Sequence, residues 1–591
     1  MSIQIDVVRI CGFRGVANLE ITLPKVTVLL GQNNAGKTSV IKALQLAIGD
    51  YSRYLADEDF HIGADEKRQE TITVDLRFIP LESTERTIEF TEEWQREFGD
   101  KIQSEADGKQ YVAIRTTAKP DRVKGGYIVE RFHLDLWPER ENWLNERVKN
   151  KNRLRKRLEA IPFISIDAQR DIHNELKDKS SFIGRVLSSV EYEDEDVAAL
   201  ERMVADINRE AIEKSEPLKQ LKSHLDNLNQ SFEGTGQAEL TPFPKKIRDL
   251  SKRFSVHFGD SDNSSFSMEY HGMGTRSWAS MLTVKAFIEL LANQHQKEAE
   301  SFFPVVAIEE PEAHLHPNAQ RTLFEQLKDN PGQIIISTHS PYLAGMSDLK
   351  NLRGLTQSFS VSRTFKLIDG LDSEDLNILQ REIMRFRGEL LFSKAIILFE
   401  GVTEEQIIPA MFQTYFCKSS FSLGINCISV AGKCYPPFIK MALSFGIPVI
   451  IISDNDGNTF NELEAQVRKI KNNTPLALSD KEFFLSFLSN GNDFEAELIN
   501  VLALRDEVIE ALIITETRGS DNADYVQAKT IELKALDNSA LVQKMALSKA
   551  SYAGFLADVI ARNPNNKPVQ SLIPQAVISA FEKLKEWYPL C

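Results

Sequence analysis

Two groups of residues in this sequence have the types and spacing needed to act on phosphate. The first is Gly31-Gln32-Asn33-Asn34-Ala35-Gly36-Lys37-Thr38-Ser39. Its glycines let backbone N–H groups curl around phosphate oxygens, Lys37 reaches the outer phosphates, and the Thr38 hydroxyl is placed for magnesium. Far downstream, the apolar run Val305–Ile308 ends in Glu309 and Glu310. Glu309 is expected to hold the magnesium, and Glu310 to orient a water molecule and accept its proton. The second group is acidic. Glu400 follows the apolar run Ala395–Phe399, with Glu404 one helical turn later. Asp454 and Asp456 follow the apolar run Ile450–Ile452. Alternate residues of an extended chain point the same way, so each pair faces one crevice. Four carboxylates make an oxygen-rich pocket for magnesium or manganese rather than zinc, and their mutual repulsion calls for cations.

Strands alternating with helices must position these groups. Ile3–Ile10 and Val26–Leu30 read as strands, and the second leads through the glycine loop into a helix at 39–47. Thr71–Ile79 alternates, and Tyr111–Thr117 with Tyr127–Leu134 reads as a hairpin. Residues 138–250 read as a charged helical insert broken by Ile161–Ile166. Strands return at Pro304–Ile308 and Ile334–Ile336. A second α/β unit has strands at Ala395–Phe399, Ile425–Val430 and Val449–Ser453, with helices near 404–415 and 437–445. After Asp480 the pattern reads as helical to the end. The expected architecture is α/β throughout: an ATPase head from 1–137 and 251–390, the insert at 138–250, and an acidic α/β domain with a helical extension at 391–591.

Bulk properties exclude some classes. A chain of 591 residues exceeds one hydrophobic core. No apolar run is long enough to cross a bilayer, and the first ten residues read as a strand rather than a signal. The five cysteines form no C-x-x-C pair, so the expected setting is the reducing cytoplasm. With a net charge of −15, contact with nucleic acid must rest on local patches or bridging metal ions. The basic stretch Arg147–Arg157 reads either as a solvated helix face or as a DNA-tracking surface.

The segment Glu309-Glu310-Pro311-Glu312-Ala313-His314-Leu315-His316-Pro317 resembles the D-loop region of ABC-type ATPases related to RecF and SMC proteins. Ser337-Thr338-His339-Ser340-Pro341 resembles their switch histidine, which puts His339 near the γ-phosphate. His271-Gly272-Met273-Gly274-Thr275-Arg276 is similar to a degenerate signature motif, whose Gly274 would cap ATP bound by a second subunit, implying a homodimer or higher oligomer. The Glu400/Glu404 and Asp454/Asp456 pairs, with Val430-Ala431-Gly432 between them, resemble the Toprim fold. The combination resembles the OLD (overcoming lysogenization defect) family of nucleases, related to the Gabija-type defence nuclease subunit. That resemblance implies ATP, two metals (Mg2+, with Mn2+ or Ca2+ as alternatives), hydrolysis of DNA phosphodiesters to 3′-hydroxyl and 5′-phosphate ends, a dimerising insert, a role in anti-phage defence and a helicase or similar partner. It also places the acidic segment Asp493-Phe494-Glu495-Ala496-Glu497, with Glu495 and Glu497, at the second metal and Lys549 on the reacting phosphate. The alternatives for these are a helix N-terminal acid cluster and a surface lysine. Two other functions stay open: an SMC-like DNA clamp using Toprim as scaffold, and a primase or topoisomerase, for which Tyr552 and Tyr588 are the late tyrosines.

Overall fold

The computed structural model describes residues 2–63, 65–82, 85–155, 158–167, 194–220, 222, 257–258, 266–267, 272–329, 331–358, 361–368, 371–381, 388–430, 432–473, 479–501, 504–518 and 520–588. Most of the expected insert, along with Lys156, Arg157, His271 and Ala431, lies outside the described residues. Of the insert, the 21-residue helix Asp194–Lys214 is described.

Among the described residues, three larger sheets organise the chain. A six-stranded sheet has the order 361–365, 352–358, 26–30, 333–337, 305–309, 163–166, parallel except for the hairpin 352–365. An antiparallel sheet is built on Ser2–Phe13, Val16–Thr22, Ile72–Glu82, Gln110–Pro120 and Tyr127–His133. The third sheet is parallel, with the order 425–429, 395–399, 449–453, 483–487.

Two strands correct the sequence reading. Phe163–Ile166, expected inside a helical insert, pairs in parallel with Val305–Ile308 and forms an edge of the six-stranded sheet. The ATPase core therefore continues past the expected boundary at 138. Phe483–Phe487, expected to be helical, is the fourth strand of the third sheet. Both runs are short, continuous and apolar, and periodicity alone does not separate such runs from helix.

Alternation along each buried strand sorts its side chains between two cores. In the six-stranded sheet Leu29, Val305, Ala307 and Ile335 face the helix Lys37–Ile48, which is sandwiched against the antiparallel sheet. Val28, Leu30, Val306, Ile308, Ile334 and Ile336 face the opposite side. There they meet Met281, Val284 and Ile288 of the helix Met273–Glu298. That core does not end with the head. It runs on to Ile396, Leu398, Val449 and Ile451 of the third sheet and to the helix Tyr435–Ser444. Lys440 is paired with Asp375 at 2.5 Å along this seam, and Ile368 N donates to Ser444 Oγ at 3.3 Å. The remaining strand residues, Ala395, Ile397, Phe399, Ile450 and Ile452, pack under the C-terminal helices. Each such side chain contributes about 1.5–3 kcal/mol when fully buried.

Candidate active sites

The phosphate loop stands where the strand Val26–Leu30 gives way to the helix Lys37–Ile48. Gly31 has φ 154°, and a Cβ there would lie 2.4 Å from the Leu355 carbonyl oxygen, so only glycine fits. Asn34 adopts the left-handed region, φ 63°, which asparagine tolerates. Lys37 Nζ donates to the carbonyls of Gly31 at 2.8 Å and Gln32 at 3.1 Å, and lies 2.9 Å from His339 Nε2. Burial pulls the Lys37 ammonium down to about 8, against the opposing pull of Glu310 and Glu312. His339 is also lowered, by burial and then by Lys37. A buried cation beside free loop N–H groups suits a polyphosphate, which would restore its charge. Thr38 Oγ1 donates to Glu309 Oε2 at 3.2 Å, the pairing a shared magnesium would require. Glu310 sits in the left-handed region at φ 45°, with its carboxylate 3.9 Å from His339. Strain of this kind in a non-glycine residue gathers at functional sites. Asn33, Asn34, Gly36, Lys37, Thr38, Ser39, Glu310 and His339 all line one cleft of about 710 Å³.

Several residues of this site carried no readable signal. Arg14 and Gly15, from the turn between two strands of the antiparallel sheet, also line the cleft. Arg14 is held there by Asp59 at 2.8 Å. Glu312 accepts from Thr338 Oγ1 at 2.8 Å and from His339 N at 2.7 Å, fixing the histidine's backbone. Lys42 bridges Asp167 at 2.7 Å and Glu309 at 3.6 Å. Burial raises the Glu309 carboxyl, and Lys42 opposes the shift. Gly274 lies outside this cleft, in the first turn of Met273–Glu298. A Cβ there would lie 2.5 Å from the His314 carbonyl oxygen, so the signature position packs on the D-loop backbone.

The acids gather at the carboxyl edge of the third sheet. Strands Ala395–Phe399 and Val449–Ser453 are parallel neighbours, so Glu400 and Asp454 emerge side by side. Ser453 Oγ donates to Glu400 Oε1 at 3.2 Å. Glu404 is 6% exposed in the first turn of Val402–Phe416 and accepts from Gly401 N at 3.3 Å. Asp454 is pushed up to about 8, first by burial and then by the fields of Glu404, Glu400, Asp493 and Asp456. Glu400 is raised by burial, and Lys433 opposes the shift. Asp456 accepts from Thr459 Oγ1 at 2.7 Å. Carboxylates this close fit divalent cations, with oxygen donors throughout.

In the acidic segment 493–497, Asp493 adds to the field at Asp454, while also capping the helix Phe494–Asn500. Glu497 is committed elsewhere: it accepts from Ser489 N, Ser489 Oγ and Asn492 Nδ2 at 3.2, 3.0 and 2.6 Å. That loop in turn holds Asn455, whose N–H donates to Asn492 O at 3.0 Å. Glu497 thus braces the loop between Asp454 and Asp456 rather than facing the crevice. Glu495, 2% exposed, accepts from Thr403 Oγ1 at 2.9 Å. Lys549 begins the helix Lys549–Arg562, which packs on Val402–Phe416, and its side chain lies outside the described residues. Tyr552 is fully buried and Tyr588 donates to Lys394 O at 2.7 Å, so neither offers a hydroxyl for attack on DNA. Among its described residues the basic stretch is irregular apart from a single 3-10 turn at Asn150–Asn152, and Lys149 pairs with Asp135 at 2.6 Å and Arg153 with Glu130 at 3.1 Å.

These two centres put the chain in the class of ABC-type ATPases that carry a Toprim nuclease domain. An AAA ATPase domain model matches residues 4–344, over half of the chain. The Toprim model for proteins like the overcoming lysogenization defect protein matches residues 391–456. The chain belongs to this OLD-like ATPase–Toprim family. It is 25% identical to the OLD nuclease of Thermus scotoductus over 483 residues, covering 75% of this chain and 80% of that one. It is 22% identical to the Old nuclease of Escherichia phage P2 over 484 residues, covering 77% and 78%. Over 205 residues it is 23% identical to the endonuclease GajA of Bacillus cereus, covering 30% and 29%. Among the described residues no helix is long and apolar enough to cross a membrane.

Proposed function

We propose that this chain is an endonuclease that hydrolyses DNA phosphodiesters with divalent metal ions under control of its ATP site, in defence against phage. The observation that carries the reading is the convergence of Glu400, Glu404, Asp454 and Asp456 at adjoining ends of two parallel strands, with burial and then the repulsion of neighbouring carboxylates holding Asp454 at about 8. Divalent ions bound there would supply Lewis acidity, lowering the pKa of water and taking up charge on the phosphate. Glu400, Glu404, Asp454 and Asp456 would hold two such ions, with Asp493 completing the acidic wall. Ser453 orients Glu400, Glu497 fixes the Asp454–Asp456 loop, and Lys549 would meet the phosphate. In the head, Lys37 and the loop N–H groups would bind the ATP phosphates, and Thr38 and Glu309 would hold magnesium. Glu310 would take a proton from the attacking water, and His339 would face the γ-phosphate. Gly274 would act on the nucleotide of a second copy, making the working form a homodimer or larger. The relatives named as nucleases favour phosphodiester cleavage, and DNA as substrate, a defence role and a helicase-type partner belong to the same proposal.

The test is nicking of supercoiled plasmid with Mg2+ or Mn2+. Glu400→Ala and Asp454→Ala should each lose cleavage by about 100-fold or more while ATP hydrolysis persists. Full nicking by either variant would falsify the assignment.

A further inference from the structure

The helix Met273–Glu298 ends in a turn that neither centre uses. Ala299 adopts the left-handed region, φ 54°, and Glu300 N donates to His295 O at 3.0 Å. This reversal brings Glu300 back over the last helical turn, where His295 and Glu298 stand three residues apart on one face. His295 Nδ1 lies 2.9 Å from Glu300 Oε2, and one donor atom from each of His295, Glu298 and Glu300 lies within 4.8 Å of the others. The imidazole is stacked on Phe302, ring centres 4.7 Å apart and planes 8° from parallel, so its orientation is set in advance.

His295 and Glu300 open onto a cleft of about 660 Å³ that is also lined by Glu93, Glu97, Glu159 and His133. His133 ends the strand Tyr127–His133, is 8% exposed, and its Nδ1 has no hydrogen-bond partner among the described residues. Burial, with Lys101 adding to it, lowers this imidazole to about 4, which leaves it neutral with a lone pair to give. Imidazole nitrogen combined with carboxylate oxygen favours zinc and its first-row neighbours over the harder ions expected at the all-carboxylate Toprim crevice.

We propose that a transition-metal ion of the zinc class binds on His295, Glu298 and Glu300, facing His133 across this cleft. The test uses the full chain stripped with chelator, with Zn2+ as probe. Zinc per chain is measured after equilibrium dialysis, and Co2+ substitution is followed by visible absorption. The unsubstituted protein should retain one equivalent more than His295→Ala, and Glu298→Gln and Glu300→Gln should each bind that equivalent at least tenfold more weakly. Asp454→Ala should keep it, which separates this site from the Toprim crevice. Equal zinc stoichiometry and affinity in the glutamine variants and the unsubstituted protein would overturn the proposal, as would loss of this equivalent in Asp454→Ala. The glutamine variants decide the matter if His295→Ala does not fold.

Discussion

At the scale of single residues, the two centres are electrostatically distinct, and so are the effects of changing them. Lys37 is a buried cation held by two carbonyls and His339. Lys37→Ala should reduce ATP turnover by about 100-fold in a phosphate-release assay while leaving metal-dependent nicking within a few-fold of normal. A parallel loss of nicking would mean that cleavage needs the nucleotide. Asp454 makes a pH prediction. Its carboxyl stands near 8 in the metal-free fold against 3.8 for the ordinary side chain, so the folded state keeps a proton that the unfolded state gives up. Stability from this group is therefore full below about pH 4 and is lost as pH rises toward 8. With divalent ions chelated, the thermal midpoint should fall between pH 5 and pH 8. Asp454→Asn should flatten that slope, and added Mg2+ should reverse it. A midpoint that rises with pH in the chelated protein, and rises less in Asp454→Asn, would contradict the burial of this group.

At the scale of elements, motifs that bind through local backbone geometry were legible and those assembled across the chain were not. The run from Gly31 to Ser39 forms its loop within a single strand–helix turn, and Glu400 with Glu404 needs only a strand end and the first turn of a helix. The continuous apolar runs of 305–309, 333–337 and 449–453, each flanked by helical patterns or an acidic pair, announced buried strands. Phe483–Phe487 and Phe163–Ile166 did not, because their partners lie far along the chain and only pairing shows that they are extended. The same reason hid Arg14 and Asp167, each recruited from an element remote in sequence from the phosphate loop. The three donors that Glu497 accepts from, two on Ser489 and one on Asn492, are likewise visible only once the loop is folded. The contact between the helix Met273–Glu298 and the D-loop can be tested by Gly274→Ala. Its methyl group would meet the His314 carbonyl oxygen at 2.5 Å, and that backbone has no room to yield cheaply. Overpacking should cost about 1–3 kcal/mol and lower ATP turnover at least about tenfold. Wild-type turnover would show that the helix shifts freely.

At the scale of the whole molecule, the described residues of the head and of the Toprim sheet share one apolar core. The core that begins at Val28 and Ile308 continues without interruption to Leu398, Ile451 and Phe438. An ATP analogue bound at about 100 times its Kd should stabilise the native state by about 2.7 kcal/mol. Because the apolar core is common to both sheets, that gain should appear in a single calorimetric transition that moves as one. Two transitions, of which only one responds to nucleotide, would mean that the seam melts first. The seam also bears on protein engineering. A foreign ATPase spliced on at residue 391 would arrive with the wrong complement to Ile396, Leu398 and the helix Tyr435–Ser444. Functional chimaeras should therefore need their crossover placed so that the donor's matching helices and hairpin travel with its sheet, and libraries cut at the apparent domain border should yield mostly insoluble products.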